Sequence, residues 1–182
     1  MLAFRRIVLF LLIESMALCA FAADVEHAKV ENLLMATYLY KFTDYVEWPA
    51  AAPTIPTSIN IGIIDADEVA AALSTLVAAH PDQTRKMSVK ILKPNDSLAS
   101  IQILFIGHSS THIRDLLAAT RDSPVLTVTA FDDALAFGSM INFVVIDGHI
   151  KFEISVSQAT HCGIKISSRL LGIAQKIDTG GK

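Results

Sequence analysis

The segment Ile101 to Gly107, "IQILFIG", constrains the fold more than any other stretch of this chain. Successive strand residues point to opposite faces of a sheet. A strand that is apolar at consecutive positions therefore needs cover on both faces, as in sheets sandwiched between helices. The neighbouring segments supply that pattern. "INIGIID" at 59–65 is a β-branched run ending in acidic residues, and "ADEVAAALSTLVAA" after it has the alanine and leucine content of a helix. "MSVKILK" at 87–93 alternates and predicts the second strand, with 101–107 as the third. "SSTHIRDLLAAT" opens on serines able to cap free amide groups and predicts another helix.

"VLTVTA" at 125–130 predicts a fourth strand and "FDDALAF" a short helical turn. "MINFVVI" and "IKFEISV" are separated by Asp147, Gly148 and His149, and an Asp-Gly pair between apolar runs is a strong hairpin signal. The last two strands are therefore expected to be antiparallel. From Ser157, "SQATHCG" reads as a helical turn stopped at Gly163, and "SSRLLGIAQKI" as a second capped helix with Leu170, Leu171 and Ala174 on one face. At the other end, apolar residues from Asp24 to about Tyr45 recur mostly three or four apart, which predicts one long first helix. Trp48-Pro49 closes it, because proline pushes the preceding residue out of the helical region, and "PAAAPTIPT" is a proline-punctuated connector. The whole predicts an α/β three-layer sandwich around a mainly parallel sheet of about six strands, with a C-terminal antiparallel hairpin and a long N-terminal helix.

The first 22 residues read as an export signal. Arg5 and Arg6 give the positive start, "IVLFLLI" the apolar run, and "AFA" at Ala20–Ala22 the small-x-small cleavage pattern. An uncleaved anchor is the weaker alternative, since Glu14 interrupts the apolar stretch. Lipidation at Cys19 is disfavoured by the large Leu18 before it. Residues 23–182 are then one exported domain, long enough to bury a substantial core. Removing Arg5, Arg6 and Glu14 takes the balance from 15 basic against 18 acidic residues to 13 against 17. That mild acidity argues against a nucleic-acid partner. Cys162 becomes the only thiol, and one cysteine cannot staple its own chain.

Residue constellations for chemistry are thin. His108 and His112 are four apart but straddle a loop and a helix start, without an evident third ligand. Asp65 and Asp67 stand where a parallel-sheet enzyme places carboxylates, yet acidic residues there also cap helices and suit the helix dipole. No glycine-rich phosphate loop follows a strand, and no serine sits in a nucleophile elbow. His161 beside Cys162 forms no dyad, because adjacent helical residues point apart. No catalytic, metal or cofactor site is expected, and the survey favours a non-enzyme.

Several separated motifs in one order carry a family resemblance. Tyr45 to Pro49 is an aromatic-x-x-Trp-Pro element, Gly138 to Ile141 reads Gly-x-Met-Ile, Phe152 to Ile154 reads Phe-Glu-Ile, and Ile166 to Leu171 reads Ile-Ser-Ser-x-Leu-Leu. From about Val30 to Ile177 the chain resembles the YfiR-type periplasmic repressors. The resemblance implies a periplasmic protein that binds the periplasmic sensor domain of an inner-membrane diguanylate cyclase and holds it inactive, lowering cyclic-di-GMP and biofilm formation. It also implies a homodimer, an outer-membrane lipoprotein as a further partner, and a small aromatic or nucleotide-like ligand. Intramolecular disulfide control of the family type is not available to a chain with one mature cysteine.

All three tyrosines and the single tryptophan fall within "YLYKFTDYVEWP" at 38–49. Phe42 and Tyr45 share a helix face and are read as core. Tyr38, Trp48 and Pro49 are read as partner contacts, because Trp and Tyr give large contact area at low entropic cost. The end helix, with Ser167, Ser168, Arg169 and Leu170, is the second expected patch, and Arg169 is positioned to pair with a partner carboxylate. Two other readings remain open: a small-ligand sensor, and a hydrolase using the strand-end Asp and His residues.

Overall fold

The computed structural model describes residues 26–49, 58–81 and 86–180. The export signal at 1–22 and most of the connector after Trp48 lie outside the described residues. The first helix, α1, covers 26–45 and runs directly into a two-residue strand, β1 (Val46–Glu47). Strand β2 (Ser58–Ile64) leads to α2 (Asp67–Ala79), then β3 (Lys86–Ile91) and β4 (Ile103–Ile106). Helix α3 (Ile113–Thr120), β5 (Leu126–Thr129) and a 3-10 turn (Ala134–Phe137) precede the hairpin of β6 (Ile141–Ile146) and β7 (His149–Ser155). The chain ends in α4 (Val156–His161), β8 (Lys165–Ile166), α5 (Ser168–Leu171) and β9 (Lys176–Asp178).

Seven strands form the main sheet in the order β3-β2-β4-β5-β6-β7-β9, and β1 pairs with β8 in a separate antiparallel ladder. The pairs from β3 through β6 are parallel, β6–β7 is antiparallel, and β7–β9 is parallel again. The two faces bury different cores, as the run at 101–107 requires. Ile103 and Phe105 enter one core with Ala36, Leu39 and Phe42 of α1 and Val69, Ala70 and Leu73 of α2. Leu104 and Ile106 enter the other with Ile113, Leu116 and Leu117 of α3. Three layers follow from this split.

The Asp147-Gly148 turn takes positive φ at both positions, 52° and 71°, matching the right-handed twist of the two strands it joins. At the parallel-to-antiparallel junction the second face is polar. Thr129 Oγ1 donates to Asn142 Oδ1 at 2.8 Å and lies 2.9 Å from Ser139 Oγ, while Thr127 Oγ1 accepts from the Met140 amide at 3.1 Å. These bonds give the buried Thr127, Thr129, Ser139 and Asn142 partners, without which burial costs stability.

Two sequence expectations are corrected in the last third of the chain and one in α3. The predicted long end helix is a single turn, α5, after which Lys176–Asp178 leaves it to become the seventh strand beside β7. The ladder bonds available at the open β7 edge outweigh the helix propensity of "AQK". Helix α3 begins at Ile113 with His112 in the cap position and no side-chain cap bond, so Ser109 and Ser110 precede it as a turn.

Candidate functional site

Helix α1 delivers the aromatic stretch to the sheet. Phe42 is fully buried and stacks with Phe143 at 6.0 Å and edge-on to Phe152 at 5.5 Å. Tyr38, expected at the surface, sits half-buried one turn earlier, its ring 5.3 Å from Phe152 and 5.9 Å from Phe143. Such offset and edge-on geometry adds to area burial. Tyr38 therefore packs on the core, with only part of its ring left to solvent.

The chain then leaves the helix as β1, which pairs antiparallel with β8 and so joins the elements that carry the two expected patches. Val46 stands opposite Ile166 and Glu47 opposite Lys165, while the Ser167 amide donates to the Tyr45 carbonyl at 2.9 Å. Trp48 and Pro49 follow β1 directly and Ser167 to Leu170 follow β8 directly, so in this antiparallel pair they leave from opposite ends of the ladder. Pro49 also lies beside Gly163: a Cβ there would stand 3.4 Å from Pro49 Cβ. Positions 46 and 166 are thus brought together by a ladder of two residues per strand, too short for any sequence periodicity to reveal.

Each candidate has a distinct setting on this ladder. Trp48 is half-buried and packs on the main core, and its indole Nε1 is buried without a hydrogen-bond partner. Ser167 caps α5, accepting from the Leu170 amide at 3.4 Å. Leu170 is 2% exposed and belongs to the core, so its part is to seat α5. Ser168 and Arg169 are exposed, as are Glu47 and Lys165. Glu47 and Lys165 are opposite charges facing across an antiparallel pair, an arrangement sequence reasoning missed because it depends on the register. The outward residues flanking the ladder are thus a proline, part of an indole, a serine and charges of both signs, and among the described residues no nucleophile and base are brought together there.

The strand-end candidates are arranged differently. His108 and His112 are exposed, and the described residues contain no group of three His, Cys, Asp or Glu side chains able to hold a metal. Asp65 takes φ 54° and makes no cap bond; the residue in the cap position of α2 is Ala66, with Asp67 and Glu68 in the first turn. The β2 and β4 ends meet closely here, since a Cβ on Gly107 would lie 2.1 Å from the Asp65 carbonyl oxygen. This is the point where strand order reverses, the usual ligand crevice of open parallel sheets.

Cys162 is a buried free thiol. Its Sγ donates to the Arg121 carbonyl at 3.1 Å, and burial pushes the thiol above its usual range despite the opposing contact from Gln158. Beside it, His161 Nε2 lies 2.7 Å from Asp122 Oδ1, so α4 is docked on the loop after α3.

The fold is a three-layer α/β sandwich in which the candidate residues flank the two ends of one short antiparallel ladder. The chain belongs to the YfiR/HmsC-like family, whose model matches residues 32–175. Membership supports a periplasmic regulatory role in general. Among solved structures, the fold is similar to a conserved domain protein from Vibrio cholerae O1 biovar El Tor, with a TM-score of 0.52 and 12% identity over 81% of this chain and 60% of that one. The chain therefore spans about three-fifths of that protein's length. No curated protein matches the chain. Among the described residues no helix is long and apolar enough to cross a membrane.

Proposed function

We propose that this protein is exported, is processed after Ala22, and represses a membrane-bound diguanylate cyclase by binding its periplasmic sensor domain. The observation that carries the reading is that the β1–β8 ladder ties the segment of Trp48 and Pro49 to that of Ser167, Ser168 and Arg169, one at each of its ends. Family membership supports the regulatory class. The exposed rim of the surface, Glu47, Lys165, Ser168 and Arg169, sets orientation and partner choice, while Pro49 and the open part of Trp48 supply apolar contact.

The test uses the exposed rim, so that folding is not at stake. Arg169→Asp in the full chain is expected to abolish co-purification of the cyclase with tagged protein from solubilised membranes, and to raise cellular cyclic-di-GMP. Unchanged co-purification and unchanged cyclic-di-GMP at normal protein abundance would remove this surface from the function. Failure of the wild-type chain to retain any cyclase would remove the repressor reading itself.

A further inference from the structure

The last described strand, β9, is anchored in part by a single side chain. β9 has three residues; Lys176 and Ile177 are exposed, so little apolar burial ties it down. Besides the ladder to β7, its third residue adds a side-chain attachment. Asp178 Oδ2 accepts from Ser155 Oγ at 2.9 Å and from Ser157 Oγ at 3.3 Å, and Asp178 Oδ1 accepts from the Gly180 amide at 3.1 Å. Ser155 is itself the cap of α4, accepting from the Gln158 amide. The chain then folds over the first turn of α4 so closely that a Cβ on Gly180, at φ 74°, would meet Ser157 Cβ at 2.9 Å. Beneath this segment Ile154 and Ser155 of β7 are buried.

We propose that residues 176–180 form a strap, latched by Asp178 onto the start of α4, which opens when the Asp178 carboxylate is neutralised and thereby uncovers the outer edge of β7. A three-residue strand with exposed side chains belongs at the low end of local stability, where one lost anchor frees the segment without unfolding the core. The freed edge carries unpaired amide and carbonyl groups, the template an extended chain pairs with.

The charged groups on the elements packed here are His149, Lys151 and Glu153 of β7, His161 of α4 and Lys176 of β9. The Gly180 amide first, then the Ser155 and Ser157 hydroxyls and the charge of Lys176, hold the Asp178 carboxyl below its usual range, against a smaller opposing effect of burial. A carboxyl lowered by the folded state stabilises that state above its unfolded value and loses the contribution as pH falls through the lowered one. The latch is therefore closed at neutral pH and released by acid.

Hydrogen exchange on the full chain tests this. Asp178→Asn at neutral pH is expected to speed exchange of the amides at 176–180, and of the β7 amides facing them, by about tenfold or more while β4 and β5 amides keep their protection. Ser157→Ala, which spares the α4 cap, gives a smaller increase at the same residues. In the wild type the same local opening appears on acidification after correction for intrinsic rates, and Asp178→Asn lacks that acid step. Unchanged exchange at 176–180 in Asp178→Asn overturns the latch. Acceleration shared equally by β4 and β5 overturns the strap, because the carboxylate would then support the whole fold.

Discussion

Trp48 offers the sharpest test, because its effects on stability and on binding can be measured separately on the same variants. Truncating a fully buried Trp to Ala costs about 3–5 kcal/mol, but Trp48 is half-buried and its Nε1 is a buried donor without an acceptor. An unsatisfied buried polar group costs about 1–3 kcal/mol, and deleting it returns that amount. Trp48→Ala should therefore destabilise by about 2 kcal/mol, the lost packing less the relieved donor. Trp48→Phe keeps a ring against the core and deletes only the troublesome N–H, so its unfolding free energy should lie within about 1 kcal/mol of wild type. Chemical denaturation followed by far-UV circular dichroism is the assay, since the variants remove the chain's single tryptophan fluorophore. If Trp48 also anchors the partner, Trp48→Ala weakens association by about 2 kcal/mol or more after correction for the unfolded fraction. A loss above about 2 kcal/mol of stability in Trp48→Phe would show that the indole N–H has an acceptor, and the reasoning fails. A large stability loss in Trp48→Ala with unaltered affinity would leave Trp48 in the core alone.

Gly107→Ala forces a Cβ to 2.1 Å from the Asp65 carbonyl oxygen and should cost more than the about 1–3 kcal/mol usual for overpacking, because the obstacle is backbone. In Gly62→Ala the nearest atom is Leu92 Cδ1, the end of a side chain, at 2.5 Å; a cost equal to that of Gly107→Ala would refute the ranking. Cys162 should resist alkylation at neutral pH and react only as pH rises past the ordinary thiol range, since burial favours its neutral form; rapid labelling of the folded protein at neutral pH would contradict this. Thiol reductants should leave folding and partner binding unchanged, and a marked loss of stability with dithiothreitol would reveal an intermolecular bridge. Mass spectrometry of the periplasmic form should show a chain starting at or next to Ala23, and a mature protein retaining Met1 would refute export processing.

The layers were legible because they depend on local pattern. Consecutive apolar residues at 103–106 demand two cores, and Asp147-Gly148 demands a hairpin. β9 was not legible, since Ala174, Gln175 and Lys176 favour a helix in isolation, yet the helix has ended before them and Lys176 opens a strand because β7 ends in an open edge. Ser109 and Ser110 have cap chemistry, yet the helix starts later, where no side chain caps it. The candidate surface was legible as two fragments. That the segments carrying Trp48 and Ser168 are joined at all depends on a two-residue register across the whole fold, and that Leu170 points inward depends on how α5 is seated.

The β1–β8 ladder also bears on the order in which the molecule is completed. Val46 and Ile166 contact each other near opposite ends of the described chain, and two residues per strand provide too little to close such a loop unaided. The sheet must already hold both ends near one another before the ladder can form, which makes it a late step in folding. A chain arrested with part of its sheet assembled would carry Trp48 and Arg169 on separate, unjoined segments. On the proposed function, a partner that needs both segments engages only molecules that have finished folding.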